Sequence, residues 1–448
     1  MKKKVIIILG VLVLIGITTF GSYSYIKVKQ WDSLILPTVK IEDEDLTGKT
    51  KQQAQAILKD KYSDKVIKKK ITIVTDNKNY TLDYSTLDAK YNIDEAVDQA
   101  TSYGSNMNIF EKYKAIKNPV IKDIKLTFEY NDKIVDTLLS QIAKDTNKDS
   151  LNATLTMVSS GEFNVTNDFV GKQLDKGNLK EEIKSKINGV LSEDVINITA
   201  QVKDLAPKVT TALLKTVDTK ISSYDTNFAS SADGRATNID LSTKIISGTL
   251  LMPGDVFSFN GVVGERTEAR GYKTAGVIIG DKLEQGLGGG ICQTSSTLYN
   301  SILLTGLKSV ERIHHTISSG YIPKGQDATV DYGNLDYKFK NTFKYPVYIE
   351  GTSSNRTLKF NIYSNSELTN KTYKIKNEVN GVTQPTTQTI EDSTKYVGLQ
   401  EIVKTGYAGF KVKLSRETYE NGNLTNTEVI SNDTFHVING IVKVGTKK

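Results

Sequence analysis

The chain has 448 residues, of which 38% are hydrophobic and 24% are charged, and it carries a formal net charge of +7. These proportions are typical of folded globular domains, and the length is sufficient for roughly two to four of them. The positive charge is modest, rests almost entirely on lysine and forms no stripe of arginine and lysine, so we expect no nucleic-acid partner.

The N-terminus has the features of a membrane anchor. Three lysines precede the uncharged segment Val5–Ile26, which is long enough to cross a bilayer core about 30 Å thick. No alanine before Ala54 offers a small-residue cleavage site, so residues 1–30 are predicted to form a cytoplasmic stub and a transmembrane signal anchor. The lysines should stay in the cytoplasm and all later residues outside. A cleaved export signal is the alternative and leaves the rest of the chain outside as well, where a mildly basic surface suits an anionic cell wall.

The next region contains one α+β pattern used twice, in residues 31–118 and 119–206. Apolar spacing of three and four predicts the helices, and alternation predicts the strands. The first copy is predicted as helix, two strands and helix at residues 51–58, 71–74, 80–82 and 93–100. The second copy follows the same order at residues 134–142, 153–157, 163–165 and 179–187. Neither copy contains His or Cys, so we expect a spacer or binding region without catalysis.

Residues 207–367 change to glycine-rich turns and short strands. Gly280-Asp281 between two apolar segments predicts a β-hairpin. A helix is predicted beside Cys292, ending at Gly306, and two antiparallel strands at 346–350 and 358–362.

Residues 368–448 begin with a polar connector and then alternate strand patterns with glycines, which predicts a small all-β module. The fold class is therefore α+β multidomain, with an N-terminal transmembrane helix, two α+β repeats, a mixed α+β domain and the all-β C-terminal module.

Cys292 is the only cysteine of the chain, and it follows the glycines of Gly288-Gly289-Gly290-Ile291. An odd cysteine outside the cytoplasm is intermolecular or reactive, although a buried, inert thiol in a tight loop is the alternative. A helix N-terminus or an imidazolium lowers the thiol pKa from about 8.5. Gly289, Gly290 and the adjacent Gln293 form a candidate oxyanion and substrate loop, because glycines let backbone N–H groups approach a developing negative charge.

A nucleophilic thiol needs a base, and His314-His315 are the nearest histidines in sequence. Neighbouring residues at the end of a strand face opposite sides, so only one of the two can address Cys292. His436 lies in the C-terminal module and is predicted to be a surface residue.

A third group would orient the imidazole, and Asp327 is the preferred candidate, on a strand-like stretch after the histidines. Asp331 is an alternative, and Asp336 is a weaker one. Zinc bound by Cys292, His314 and His315 would lack the usual short ligand spacings, so we expect no metal and no cofactor.

Several blocks of residues 208–365, in order and at family spacing, resemble the VanW-domain family. His315 matches the recurrent family histidine, whereas Ile313 and His314 stand where the family often has His and Pro. Arg235, Arg266 and Tyr299 lie in matching blocks and are further candidate site residues. The blocks are Arg235–Asn238, Pro253–Asn260, Gly264–Thr267, Gly271-Tyr272, Gly288–Gln293, Thr297–Asn300, Glu311-Arg312 with His315, and Tyr321–Ala328.

The resemblance implies that 207–367 is a catalytic domain and that the protein is a cysteine L,D-transpeptidase of the bacterial wall. Cys292 would then form a thioester with a stem peptide and pass the acyl group to the amine of a neighbouring stem, making a 3-3 cross-link. The repeats resemble peptidoglycan-binding repeats found ahead of this domain, and the C-terminal module resembles the G-five module. Two alternatives stay open: a non-catalytic wall-binding scaffold, and a cysteine endopeptidase or carboxypeptidase that uses water as acceptor.

Overall fold

The computed structural model describes residues 2–37, 39–191, 195–279 and 282–448. They group into two compact units, residues 1–150 with 170–206 and residues 151–169 with 207–448. The predicted α+β multidomain class is confirmed. The helices are α1 (Lys2–Lys29), α2 (Lys51–Leu58), α3 (Asp64–Val66), α4 (Ile93–Ser102), α5 (Ile109–Lys117), α6 (Asp132–Thr146), α7 (Lys176–Lys186), α8 (Thr211–Leu214), α9 (Asp233–Ile246), α10 (Phe259–Val263) and α11 (Ile291–Leu303).

The strands alternate with these helices along the chain. They are β1 (Val39–Ile41), β2 (Glu44–Asp45), β3 (Lys70–Val74), β4 (Asn79–Asp83), β5 (Lys90–Tyr91), β6 (Lys122–Ile124), β7 (Phe128–Glu129), β8 (Leu155–Ser159), β9 (Glu162–Val165), β10 (Gly171–Leu174), β11 (Ile196–Thr199), β12 (Val202–Leu205), β13 (Thr219–Asn227), β14 (Thr249–Leu251), β15 (Val256–Ser258), β16 (Thr274–Ile279), β17 (Lys282–Leu287), β18 (Ser309–Glu311), β19 (Lys338–Lys340), β20 (Val347–Ser354), β21 (Thr357–Ser364), β22 (Lys371–Thr383), β23 (Thr387–Tyr396), β24 (Gln400–Lys404), β25 (Gly409–Glu420), β26 (Asn423–Phe435) and β27 (Gly440–Lys447).

The N-terminal helix α1 is long and apolar enough to cross a membrane, with a mean hydropathy of 2.5 in its best window. Such a helix near the N-terminus is the mark of a membrane anchor or of a signal peptide.

The first unit contains the predicted helices and the first predicted strand pair, but its sheets join the two copies. β1 pairs in parallel with β6, and β3 pairs in parallel with β11, so strands of each copy hydrogen-bond to strands of the other. The apolar faces of α2 and α4 close one core, and those of α6 and α7 close a second. The copies therefore share their sheets and cores.

The second unit is built on the antiparallel sheet β13-β21-β20-β14, with α9 and α11 packed on it. All residues of α11 except Cys292 are buried. The hairpin β8–β9 falls within the second predicted repeat in sequence but belongs to this unit, where the Phe163 ring lies edge-on 5.1 Å from Tyr348. α11 is thus an almost wholly buried helix that presents one residue outward.

The predicted hairpin is present as β16 and β17, whose register joins Thr274 to Leu287. Its predicted turn, Gly280-Asp281, lies outside the described residues. The C-terminal module is all-β, as predicted, with the sheets β22-β25-β26 and β23-β27-β24. From β25, the buried Arg416 donates to the carbonyl oxygens of Leu303, Gly306 and Leu307 at 2.8–2.9 Å. A cation there satisfies the free carbonyls at the end of α11.

Candidate active site

The glycine loop before α11 is shaped by backbone contacts that exclude side chains. A Cβ atom on Gly289 would lie 2.6 Å from the carbonyl oxygen of Gly276, and Gly290 has a φ of 105°. Asn238 holds the loop from α9, donating to the carbonyl oxygens of Gly289 and Lys273 at 2.9 Å. Glycine is therefore required at both positions for the chain to enter α11 in this orientation.

Cys292 is the second residue of α11, where backbone N–H groups have no acceptor within the helix. The thiol lies 3.6 Å from the carbonyl oxygen of Val330 and is partly exposed. It opens into a cleft of about 970 Å³ that is also lined by the glycine loop and by His315. The positive end of the helix dipole is therefore near the sulfur, in a residue that borders the cleft.

The structure brings His315 and Asp327 together beside the thiol. His315 Nδ1 lies 2.6 Å from Asp327 Oδ2, and the backbone N–H of His315 donates to the same oxygen at 2.6 Å. The side chains of His315 and Asp327 are 7% and 2% exposed. Because Nδ1 is held by the carboxylate, Nε2 is the nitrogen available to the thiol.

The three groups shift each other's ionisation. Burial raises the pKa of the Cys292 thiol, but its hydrogen bond with His315 and the charge of that ring outweigh burial and bring the pKa below its ordinary value. Burial lowers the pKa of His315, whereas its hydrogen bonds with Asp327 and Cys292 raise that pKa above the usual range. A thiolate and an imidazolium are therefore the favoured pair near neutral pH.

Thiol alkylation should show this pair directly. Since the pKa of Cys292 is lowered and that of His315 raised, the folded protein should keep reacting with iodoacetamide as the pH falls below about 8.5, where an ordinary thiol loses reactivity. The rate is measured from pH 5 to 9 by intact mass. The same protein in urea is the control and should lose rate about tenfold per pH unit below that value. If the folded protein and the protein in urea had the same dependence of rate on pH, the thiolate–imidazolium pair would be excluded.

Arg312 holds the carboxylate in place from the far side. It donates to Asp327 Oδ1 at 3.2 Å and to both oxygens of Asp433, in β26, at 2.8 and 2.9 Å. Its guanidinium also lies 5.3 Å from the Tyr299 ring. Asn238, Arg312 and Asp433 were not identified as site residues from the sequence. Asn238 and Arg312 lie in blocks that resemble the VanW-domain family. Nothing in the sequence near Asp433 indicates that it contacts Arg312.

Three other candidates have structural partners. Burial raises the pKa of Tyr299 to about 12, so this side chain is a neutral support for Arg312. His314 Nδ1 lies 2.7 Å from the carbonyl oxygen of His315, and its ring packs against Phe435. Asp331 is exposed in the cleft wall and accepts from Asn334 at 2.7 Å.

The remaining aspartate, Asp336, accepts from Ser258 and from the N–H of Asn260, so it fixes a turn. The histidines do not end a strand, because β18 stops at Glu311, and the stretch from 327 to 331 is irregular instead of strand-like. The prediction of strand geometry here was wrong: one backbone hydrogen bond, from Thr329 N–H to the carbonyl oxygen of Ile313, joins the two segments, and the N–H groups of His315 and Ala328 bond to side chains instead.

Gln293, Arg235 and Arg266 surround the loop. Gln293 is buried and donates to Thr226 Oγ1 at 3.0 Å, while its Oε1 accepts from Arg235 at 2.8 Å. Gln293 therefore positions Arg235 from within the core. Arg235 and Arg266 line the cleft together with Cys292. His436, as predicted, has an exposed side chain.

Residues 234–363, which hold this site, match a protein-family model described as "VanW like protein". The chain contains a VanW-like domain. Residues 80–195 match the model "Putative peptidoglycan binding domain", and residues 374–447 match "G5 domain". The predicted resemblances are confirmed at the level of these domains. Along the chain, the VanW-like domain therefore lies between a domain of the putative peptidoglycan-binding type and a G5 domain.

Two curated relatives align with part of the chain. "Uncharacterized protein YoaR" of Bacillus subtilis (strain 168) is 40% identical over 173 residues, which are 38% of this chain and 57% of that protein. "Vancomycin B-type resistance protein VanW" of Enterococcus faecalis (strain ATCC 700802 / V583) is 32% identical over 114 residues, which are 24% of this chain and 42% of that protein. The chain thus spans about half the length of the curated relatives it matches.

Two solved structures of G5 domains are similar to a part of the chain. The G5 domain of an IgA1 protease has 23% sequence identity and a TM-score of 0.14, with 17% of this chain and 92% of that chain covered. The HP0197 G5 domain has 20% identity and a TM-score of 0.12, with 17% and 97% covered.

Proposed function

We propose that the protein is a cysteine acyltransferase of the cell wall, an L,D-transpeptidase that forms 3-3 cross-links between stem peptides. The observation that carries the proposal is the contact of His315 with Asp327 at 2.6 Å, beside a thiol at the N-terminus of a buried helix. A base held by a carboxylate next to a nucleophile is the arrangement that acyl transfer requires.

The first half-reaction acylates the thiol. The Cys292 thiolate attacks the carbonyl carbon between the third residue of a donor stem and its terminal D-Ala. Backbone N–H groups at Gly290 and Cys292 stabilise the oxyanion. The C–N bond then breaks, the imidazolium of His315 gives its proton to the leaving amine, D-Ala departs, and a thioester remains.

The second half-reaction transfers the acyl group. The side-chain amine of the third residue of a neighbouring stem attacks the thioester, and neutral His315 takes a proton from that amine. The C–S bond breaks, an amide bond forms between the two stems, and the Cys292 thiolate is restored beside the imidazolium. A cleft of about 970 Å³ is large enough for donor and acceptor segments.

The location follows from the same proposal. With α1 as a single-pass signal anchor, the N-terminal lysines stay inside and the later domains lie in the wall space. The peptidoglycan-binding and G5 domains would keep the VanW-like domain near the strands to be joined.

Product analysis tests the function. A purified protein that lacks α1 is incubated with a disaccharide tetrapeptide, and the products are separated by mass. The expected products are 3-3 dimers and free D-Ala, with none from Cys292→Ala. Tripeptide monomers without dimers would instead assign a peptidase that uses water. If the substrate stayed unchanged although the protein was folded and its thiol intact, the result would favour the wall-binding scaffold over both enzymes.

A further inference from the structure

Two arginines lie on either side of the glycine loop. A Cβ atom on Gly290 would lie 2.8 Å from Arg235 Cγ, and one on Gly288 would lie 3.0 Å from Arg266 Cγ. Both guanidiniums line the cleft and are close enough to Cys292 to interact with its charge. The absence of side chains in the loop therefore lets two cations pack against it near the nucleophile.

Neither cation has a carboxylate within 4 Å among the residues that the structure describes. Their hydrogen-bond partners are all neutral. Arg235 donates to Ser231 Oγ at 2.6 Å and to Gln293, and Arg266 donates to Asn260 Oδ1 at 2.7 Å. In contrast, Arg312 and Arg416, whose side chains are more deeply buried than these two half-buried arginines, each form an ion pair. The Cys292 thiolate acts on both cations, and Asp331 and Asp336 act on Arg266, but no carboxylate of the described chain contacts either guanidinium, which leaves a place for an anion supplied from outside.

Arg266 also has a free donor. Its Nη1 atom is buried and has no hydrogen-bond partner in the described part of the chain. The guanidinium is held between two rings, 5.7 Å from the centroids of both Phe259 and Tyr332. A buried N–H group without an acceptor costs free energy that a ligand oxygen would recover.

Burial lowers the pKa of both arginines, yet a guanidinium remains charged at neutral pH because its ordinary pKa is above 12. Arg235 adds its charge from the other side of the loop, with its guanidinium 5.9 Å from the Tyr321 ring. The wall of the cleft around the thiol is therefore suited to a negatively charged group of fixed position.

We propose that Arg266, with the charge of Arg235, binds the terminal carboxylate of the donor peptide and so selects donors that end one residue after the attacked carbonyl. This inference rests on the proposed function. In such a donor the carboxylate is three bonds from the scissile carbonyl carbon, so an anion site beside the thiol fixes the reacting bond. A donor extended by one residue would place a neutral amide at the site.

The test compares two donors that differ only in charge: a stem tetrapeptide ending in D-Ala, and the same peptide ending in D-Ala carboxamide. Thioester formation is followed by intact mass at several donor concentrations. For the wild type we expect kcat/KM for the carboxylate donor to exceed that for the amide by about 10- to 100-fold, the range of a charged hydrogen bond.

Arg266→Gln should remove most of this preference by slowing the carboxylate donor much more than the amide donor, whereas Arg266→Lys should keep part of the preference because lysine retains the charge. Arg270→Gln removes an exposed arginine four residues later in the chain, at the end of a short 3-10 helix, and is the matched control, with the preference unchanged. The rate with the amide donor reports whether each variant is folded.

If the wild type reacted equally fast with both donors, the carboxylate site would be overturned, but the proposed transferase function would still stand. If Arg266→Gln lost both rates alike, the arginine would only support the loop, and the inference would also fail. No thioester with either donor would instead reject the proposed function itself.

Discussion

Replacing His315 by glutamine is expected to slow acylation of Cys292 by about 10²- to 10⁴-fold, the usual contribution of a general acid–base. Without the imidazolium, the two interactions with His315 that lower the pKa of the thiol are lost, so burial is opposed only by the Val330 carbonyl and Arg266 and the pKa of the thiol rises. If the pKa returns to about 8.5, only roughly 3% of the thiol is ionised at pH 7, so alkylation there should fall by about 30-fold.

The matched comparison is His314→Gln, which removes the adjacent ring. His314 bonds to a backbone oxygen and packs on Phe435, so iodoacetamide should alkylate this variant at close to the wild-type rate. Rates are measured at pH 6, 7 and 8 on both variants, with circular dichroism as the check on folding. If His315→Gln kept the wild-type profile while His314→Gln lost it, the assignment of the base would be reversed.

The sequence was most informative where one motif carries one chemical role. The glycines and the lone Cys292 identify the N-terminus of a helix, and the resemblance to the VanW-domain family favours His315 over His314. Local periodicity likewise predicted α2, α4, α6 and α7 close to their observed bounds. These features depend on residues near each other in the chain, where spacing directly sets geometry.

Contacts between distant segments could not be predicted in the same way. Nothing local to residues 71–74 shows that β3 pairs in parallel with β11, more than 100 residues later. Asp327 and Asp331 are both aspartates and lie four positions apart. Only the path of the irregular loop places Asp327, and not Asp331, in contact with His315. Asp433 comes from another predicted domain, so its contact with Arg312 exists only once the two have packed.

That contact makes the G5 domain part of the support of the site. Arg312 is 8% exposed and lies between Asp327 and Asp433, which are 2% and 6% exposed. Three buried charges in a row are stable only together, because each cation–carboxylate contact offsets the desolvation of its neighbours. Arg312 would otherwise compete with His315 for the carboxylate of Asp327.

Asp433→Ala is therefore expected to lower the free energy of opening of the VanW-like domain by up to about 3–5 kcal/mol, the cost of removing one partner of a buried ion pair, because Arg312 keeps only the longer contact with Asp327. Hydrogen exchange of the buried helix α11 measures this opening. Glu378→Ala, which removes an exposed carboxylate of the same G5 domain, should cost no more than about 1 kcal/mol. Arg312→Met combined with Asp433→Leu should recover part of the loss, since an apolar pair leaves no unpaired charge between them. Equal exchange in Asp433→Ala and Glu378→Ala would mean that the G5 domain does not stabilise the site through this ion pair.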